Sequence, residues 1–302
     1  MDTKALEDLV ALAEAESFSK AAEKRFVTQP AFSRRIKNLE DWFGVDLVDR
    51  SNYPAKLTPA GQAALEIAIK ITEQLSQCRQ DVREMSSGPS GSLSFGMPHS
   101  LSIGFFPEWR TEMEMQLGQA SINVVTGNIH DAAQLLESGG CDFVLFYSFD
   151  LVPTYNFSEP KFFRAYIDID YLIPVCAADS SGFAIFDLQA DNDYPIPYLS
   201  WSPPTLVNHV LAELTHINNL NAKLQVCYQN QLAAAIREEA LLGNGLAWLP
   251  GNLINNDLET GRLLRAGSDL DVPMNIGIAC NSTTLTDLSR KWWEHLEVRH
   301  LE

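Results

Sequence analysis

The stretch TQPAFSRRIKNLEDWFGVDL, residues 28–47, determines the fold of the N-terminal part of this 302-residue chain. Thr28 predicts the N-terminal cap of a helix, and Pro30 falls in the first turn, where a missing backbone N–H costs nothing. Apolar residues then recur at steps of four, three and four until Gly44 ends the pattern. These apolar positions are Phe32, Ile36, Leu39 and Phe43. The stretch therefore predicts an amphipathic helix with one buried face.

The opposite face of this helix has the composition that reading of DNA bases requires. Amide and guanidinium groups reach base edges, a small hydroxyl permits close approach, and cations contact phosphate. The residues on this face are Gln29, Ser33, Arg34 and Lys37. An ordinary solvated helix face has a similar composition, so this helix alone leaves both interpretations open.

The flanking segments favour a winged helix-turn-helix. Two helices are predicted before residue 28, over 3–14 and from about residue 18, capped by Ser17 or Ser19 and crossing closely at small alanines. After Gly44, residues 45–50, a turn at 51–54 and residues 55–57 predict a hairpin wing. Arg50 and Lys56 on this hairpin are suited to phosphate or minor-groove contact, and solvated surface charge is the alternative.

The charge distribution supports DNA contact at this end only. The chain has a formal net charge of −17, yet residues 24–56 contain seven basic and four acidic residues. A local basic patch sets phosphate affinity more than the total charge does. The acidic remainder is expected to repel DNA, which confines contact to the N-terminal unit.

The run at 28–47, together with Arg50 and LTPAG at 57–61, closely resembles the helix-turn-helix signature of LysR-type transcriptional regulators. The resemblance extends over the full length. It implies that Gln29, Pro30, Ser33 and Arg34 do most of the DNA reading, that the protein is a homotetramer, and that RNA polymerase is a candidate partner. Val48 departs from the family pattern, which usually has Phe there, and this affects the packing of the wing.

A long helix over residues 59–85 is predicted to follow the wing and to mediate dimerisation. Its apolar positions alternate by four and three residues, the period of a coiled-coil seam. These positions are Ala64, Ala68, Ile71, Leu75, Cys78, Val82 and Met85. Packing against its own domain is the alternative. A dimer would hold two DNA half-sites in register.

The segment SSGPSG at 86–91 predicts a hinge between this helical unit, with its DNA-binding domain at 1–58, and an effector domain at 92–302. Strands and helices alternate beyond it and restart near residue 166, which predicts two α/β lobes resembling periplasmic binding proteins. Lobe I comprises 92–160 and 268–302, and lobe II comprises 161–267. The chain is expected to cross between them near 160–164 and 266–272.

Open α/β sheets bind ligands at the carboxyl ends of their strands, here in a cleft between the lobes. The predicted effector-binding residues at these ends are His99, Ser100, Ser102, Thr126, Asn128, Tyr147, Ser148, Ser200, Trp201 and Asn230. Cap and turn roles are the alternative for each. Ser100 and Ser102 begin a helix and favour an anion, but no arginine is placed to clamp a carboxylate, so a neutral or weakly acidic effector is equally open.

The sequence carries no catalytic, metal or cofactor signature, so neither an enzyme nor a cofactor is predicted. It lacks GxxxxGK[ST], GxSxG, HExxH and a complete GxGxxG motif, and its five cysteines and six histidines have no metal-ligand spacing. The acidic residues near the start rule out a signal-peptide pattern, and no apolar run approaches the roughly 18 residues of a membrane span. A cytoplasmic location is therefore expected.

Two alternatives remain open within this interpretation, and one outside it. HSLSIGFFP at 99–107, LIPVCA at 172–177 and GLAWLP at 245–250 resemble the hypochlorite-responsive subgroup of the family. Oxidant sensing needs exposed sulfur, and the candidates are Met97, Met113, Met115 and Cys141. Sensing of a small metabolite is the other possibility. An acidic solute-binding module that does not bind DNA is the alternative outside the family.

Overall fold

Four helices and one two-stranded ladder form the described part of the N-terminal unit, Met1–Ser86. The computed structural model describes residues 3–50, 55–86, 91–149, 157, 161–190, 194–203 and 205–299. The N-terminal elements are α1 Thr3–Ala15, α2 Phe18–Lys24, α3 Gln29–Phe43, β1 Val48–Asp49, β2 Lys56–Leu57 and α4 Pro59–Ser86. The predicted turn at 51–54 lies outside the described residues.

Helix α3 has the predicted bounds and the predicted buried face. Phe32, Ile36 and Leu39 are buried, whereas Phe43 is half-buried. Gly44 ends the helix with a φ of 72°, a left-handed conformation that suits glycine, and its N–H bonds to the carbonyl of Glu40. Thr28 occupies the cap position with an extended backbone, but its side chain makes no capping hydrogen bond, and the same holds for Ser17 before α2.

The wing ladder is shorter than predicted. Only Val48 pairs with Leu57 and Asp49 with Lys56, although the expected strand began at residue 45. The reason lies in Glu40, whose carboxylate accepts the backbone N–H groups of Leu47 and Val48 at 3.0 and 3.1 Å. The Glu40 side chain thus satisfies the backbone donors at the point where the ladder begins.

Strands and helices alternate in the second unit, Ser87–Glu302. The strands are β3 Ser92–Met97, β4 Ser121–Thr126, β5 Phe143–Ser148, β6 Phe162–Ala177, β7 Ile196–Trp201, β8 Leu224–Asn230, β9 Ala247–Pro250, β10 Leu263–Arg265 and β11 Val272–Asn281. The helices are α5 His99–Gly104, α6 Phe106–Leu117, α7 Ile129–Glu137, α8 Leu206–Ile217, α9 Ala233–Leu241, α10 Gly251–Glu259 and α11 Asp287–Arg299.

The two lobes share the long strand β6, and β11 runs antiparallel to its first half. In lobe I the strand order is β6, β11, β5, β3, β4, with β3 parallel to both β4 and β5. In lobe II the second half of β6 pairs with β9 and β10, and β7 pairs in parallel with β8. A bridge between Tyr198 and Leu246 links β7 to the start of β9.

The predicted crossing between the lobes at 160–164 is wrong. The chain passes from one lobe to the other inside β6, which pairs with β11 up to Leu172 and with β9 from Leu172 onward. The apolar run at 171–176 predicts only the second half of this strand, because the first half of β6 is largely exposed and lacks a continuous apolar run.

Two further elements differ from the expectation. The pattern over 101–117 predicts a single helix, but the structure has two, because Pro107 at the start of α6 lacks an N–H and its ring crowds the carbonyl four residues earlier. Helix α10 and strand β10 were not predicted. Helix α10 begins directly after Pro250, the last residue of β9. In the sequence this proline indicates only the end of a strand.

Helices α5 and α10 cross closely at Gly104. A β-carbon placed on Gly104 would lie 2.7 Å from the backbone carbonyl carbon of Asn252 and 2.9 Å from the nitrogen of Leu253. Because both neighbours are backbone atoms of a helix, they cannot move aside without shifting α10.

We therefore expect Gly104→Ala to destabilise the sensor unit by about 1–2 kcal/mol, because steric overlap between α5 and α10 outweighs the gain in helix propensity. Thermal unfolding of the full chain measures this. Gly127→Ala is the matched control, since a β-carbon there would make only an ordinary 3.8 Å contact with Asp131. Equal melting temperatures for the two variants would contradict the close helix crossing.

Candidate DNA-binding face and effector cleft

Helix α3 presents the predicted DNA-reading residues on its outer side. Gln29, Pro30, Arg34 and Lys37 are exposed and Ser33 is half-buried. The helix directs Phe32 and Ile36 into a core that α1, α2 and the first turns of α4 complete. The packing of one face thus leaves the polar face free for a ligand.

Not every basic residue on this unit is equally available. The Lys37 ammonium lies 3.5 Å from Asp41 and from Asp46, and the charge of Asp41 is the main cause that raises the pKa of Lys37. Arg35 lies 3.4 Å from the buried Asp8. Among the described residues, Arg34 and Lys56 have no acidic partner.

Arg50 holds the wing in place. Its Nη2 lies 2.8 Å from Oε2 of Glu40, a residue that is only 2% exposed, and its guanidinium stands over the ring of Phe18 at 5.5 Å. Sequence reasoning assigned Arg50 to phosphate contact and missed this structural partner. Contact with phosphate stays a prediction for Arg50 and for Lys56.

A buried ion pair joins the first two helices beneath this face. Nε of Arg25 lies 2.9 Å from Oδ1 of Asp8, which is fully buried, and Nη2 lies 2.5 Å from Glu7. Burial alone would lower the pKa of Arg25, but the hydrogen bond that Arg25 donates to Asp8 and the charges of Glu7 and Asp8 outweigh it and raise that pKa. The sequence pattern did not indicate this pair, because Asp8 lies on the apolar side of α1.

The predicted dimerisation positions on α4 fall into two groups. Ala64 and Ala68 are buried within the domain's own core, and Ile71 packs against it. These three residues therefore pack against their own domain, which was the alternative to dimerisation. Leu75 and Cys78 are exposed. The side chain of Val82 lies outside the described part of the chain. The surface of α4 that is free for a partner therefore includes Leu75 and Cys78.

In the effector unit, several predicted residues make local structural hydrogen bonds. Asn128 caps α7 by accepting the N–H of Asp131, and Asn230 accepts the N–H of Leu232. The Ser102 hydroxyl donates to the carbonyl of His99. For these residues, a cap or turn role accounts for the side chain.

The last two residues of β7 also make structural hydrogen bonds. The indole N–H of Trp201 donates to the carbonyl of Trp248 at 2.9 Å, and the hydroxyl of Ser200 donates to the Trp201 carbonyl at 3.2 Å. Both residues are buried. The Trp201 bond joins β7 to β9 and the Ser200 bond stays within β7, so little of either side chain is left for a ligand.

A second group of predicted residues comes together at the ends of β3, β4 and β5. Nε2 of His99 lies 3.3 Å from the hydroxyl of Thr126, and both groups are accessible. The Ser148 hydroxyl lies 3.4 Å from that of Tyr166. Ser100 and Tyr147 are buried close to one another.

Tyr147 lies on the same sheet face as an acid that sequence reasoning missed, Asp170. Tyr147 pairs with Ile276 on β11, and Asp170 pairs with Met274 two residues earlier on that strand. Directly paired residues and residues two apart share a face, so both polar side chains project to the same side. The Tyr147 hydroxyl is buried close to Ser100 and Asp170, but neither contact has the geometry of a hydrogen bond.

Asp170 is buried at the start of α10. Its Oδ1 accepts the backbone N–H of Asn252 at 3.1 Å and that of the next residue, Tyr171, at 2.7 Å. Its Oδ2 has no partner, and neither does Nδ2 of Asn252. Burial raises the pKa of Asp170 to about 6 despite these bonds, and burial together with the charge of Asp170 raises the pKa of Tyr147.

The chain matches two models of one protein family, which together span most of its length. Residues 3–62 match the bacterial regulatory helix-turn-helix protein of the lysR family, and residues 86–299 match the LysR substrate binding domain. The chain belongs to the LysR family of transcriptional regulators. This family comprises regulators and not enzymes, and the match sets aside the alternative of a solute-binding module without a DNA-binding domain.

Individual relatives are similar over the full length. The HTH-type transcriptional regulator YjiE of Escherichia coli K12 is 28% identical over all of this chain and 95% of its own. The DNA complex of Vibrio fischeri DarR is 27% identical with a TM-score of 0.60, covering 98% of each chain. Full-length HypT of Salmonella typhimurium, described as a hypochlorite-specific LysR-type regulator, is 25% identical with a TM-score of 0.60, covering 100% of this chain and 98% of its own.

The sulfur atoms of this LysR-type regulator differ in exposure. Met97, Met113 and Cys141 are buried, whereas Met115 is 80% exposed. Of the four sequence candidates for oxidation, only Met115 meets the requirement for exposed sulfur. Within the described residues no group of His, Cys, Asp and Glu is arranged to hold a metal, and no helix is long and apolar enough to cross a membrane.

We expect Asp170→Asn to stabilise this regulator at neutral pH but not in acid. A carboxyl group whose folded pKa is raised from 3.8 to about 6 favours the folded state only when protonated, so this part of the stability is lost as pH rises through 6. The variant should gain about 2 kcal/mol over the wild type between pH 4 and pH 7.5.

Thermal unfolding of the full chain across this pH range tests the expectation. Asn keeps an acceptor oxygen for the N–H of Asn252, so the structural bond survives. Asp168→Asn, at an exposed position two residues earlier on β6, is the control and should change little. Parallel stability curves for Asp170→Asn and the wild type would contradict the raised pKa.

Proposed function

We propose that this LysR-type regulator reads operator DNA with the outer face of α3 and responds to a small-molecule effector held between the lobes of its sensor. Support for DNA reading comes from the exposed side of α3, where Arg34 has no acidic partner within the part of the chain that the structure describes. Support for an effector comes from the buried polar atoms near Tyr147 and Asp170 that have no protein partner, because such atoms are costly unless a ligand or water satisfies them.

In the proposed complex of this chain with DNA, the N-terminal residues of α3 enter the major groove. Arg34 and Gln29 have the fork-shaped groups that bind guanine and adenine edges, and Ser33 permits close approach. Lys37, Arg50 and Lys56 contact phosphate, at the cost of loosening the ion pairs that Lys37 and Arg50 make with acids of their own unit.

Two such units must act together, because a single helix-turn-helix reads a short half-site. The exposed Leu75 and Cys78 on α4 support pairing through this helix, and the expected assembly is a homotetramer of two kinds of dimer. The effector biases closure of the lobes, which changes the spacing of the DNA-reading units and the bend of the DNA. Contact with RNA polymerase and a cytoplasmic location stay predictions.

Arg34→Ala should weaken binding to a selected operator by about 1–3 kcal/mol without unfolding the protein, because it removes a base contact. The affinity of the full chain for an operator chosen from a random duplex library measures this. Arg35→Ala removes the same charge from the next position, where the side chain faces Asp8, and is expected to cost less. Equal losses for the two variants would remove Arg34 from the base-reading role.

Sensing of an oxidant is a second candidate function, favoured by the 80% exposure of Met115 and by the similarity to a hypochlorite-specific regulator. Hypochlorite would transfer one oxygen atom to the Met115 thioether and leave as chloride, which makes this side chain polar.

If this is the signal, Met115→Leu abolishes a hypochlorite-induced change in operator affinity, whereas Met113→Leu, at a buried position, retains it. An undiminished response in the Met115 variant would exclude Met115 as the sensor. No response in the wild type would exclude oxidant sensing.

A further inference from the structure

Four polar residues from four elements surround the junction of the lobes. Ser100 comes from α5, Tyr147 from β5, Asp170 from β6 and Asn252 from α10. Three of their buried atoms have no hydrogen-bond partner: the Tyr147 hydroxyl oxygen, Oδ2 of Asp170 and Nδ2 of Asn252. Tyr147 and Asp170 are only 8% and 4% exposed, so bulk water does not satisfy these atoms.

The charge at this junction is negative and, among the described residues, it has backbone N–H groups but no cationic side chain as partners. Asp170 forms no ion pair with any lysine or arginine among the described residues, and the other charge that acts on it is that of Asp168, which is also acidic. A buried carboxylate without a cation is strongly unfavourable and attracts a ligand that supplies one. A carboxylate or halide at this position would add a second negative charge.

The neighbouring groups define the rest of the ligand. The amide nitrogen of Asn252 can only donate a hydrogen bond, whereas the hydroxyls of Tyr147 and Ser100 donate or accept. A ligand that satisfies all of them has a donating cation and, close to it, a neutral oxygen that accepts.

We propose that the sensor selects a small amine that also carries a neutral oxygen, such as an amino alcohol, and discriminates against carboxylates. This inference rests on the proposed effector site between the lobes. The ammonium group donates to Oδ2 of Asp170, and the ligand oxygen accepts from the amide of Asn252. The Tyr147 hydroxyl bridges the two halves, so ligand binding ties β5 of lobe I to α10 of lobe II.

A thermal-shift titration of the full chain tests the ligand class with three two-carbon probes: ethanolamine, ethylene glycol and glycolate, at constant pH and ionic strength. Ethanolamine is expected to raise the melting temperature of the wild type most and glycolate least. Asp170→Asn should weaken the affinity for ethanolamine by about 10- to 100-fold, the loss of one charge-assisted hydrogen bond. Asp168→Asn, which removes an equal charge two residues away, should retain it.

Tyr147→Phe provides a second variant that keeps the carboxylate. It is expected to reduce the affinity for ethanolamine by a smaller factor, since it removes only a neutral hydroxyl. If Tyr147 and Asp170 are simply a structural pair, both variants change the melting temperature of the free protein and ethanolamine shifts neither the wild type nor the variants. That result overturns the proposal.

The remaining outcomes separate this inference from the proposed function. Stabilisation by glycolate equal to that by ethanolamine overturns the amine class while supporting an effector site. An ethanolamine shift that Asp170→Asn leaves unchanged places the amine elsewhere and also overturns it. Stabilisation that depends on Asp170 but leaves operator affinity unchanged supports the ligand class and contradicts the regulatory function.

Discussion

Backbone pairing between β6 and β11 is the constraint on which the sensor depends. Strand β6 is long enough to pair with β11 in lobe I and with β9 and β10 in lobe II, so a single sheet continues from one lobe into the other. Because pairing fixes which residues face which side, it also sets Tyr147 and Asp170 on the same face although they lie on different strands. The junction between the lobes is thus a product of strand register, and α5 and α10 cover it where they cross at Gly104.

Acidic side chains organise the DNA-binding unit from within. Glu40 satisfies two backbone N–H groups and positions Arg50, and Asp8 holds Arg25 between the first helices. Such buried pairs contribute less to stability than their Coulomb energy suggests, because both partners lose their hydration. Their effect here is on position: they hold the wing against α3 and Arg25 against α1. Among the described residues they leave Arg34 without an acidic partner.

The sequence predicted α3 well, because a regular apolar period, a proline in the first turn and a terminal glycine all indicate the same helix. It predicted less of the cleft. Asn128, Asn230 and Ser102 are small polar residues at strand ends, and their hydrogen bonds are local. Nothing in the sequence distinguishes them from Ser100 and Tyr147, whose surroundings come from distant segments. Asp170 and Asn252 were missed because one lies within a strand and the other begins a helix that the pattern did not reveal.

What the sequence determined by itself is local: the helix-turn-helix, the polar face of α3, and the alternation of strands and helices in the sensor. These follow from periodicity and turn chemistry, which act over a few residues. The tertiary structure alone decided that Ala64 and Ala68 belong to the core of their own domain, that Lys37 and Arg50 are paired with acids, and that Asp170 is buried without a cation. Burial and charge pairing depend on residues far apart in the chain, and a linear pattern does not specify which of them meet.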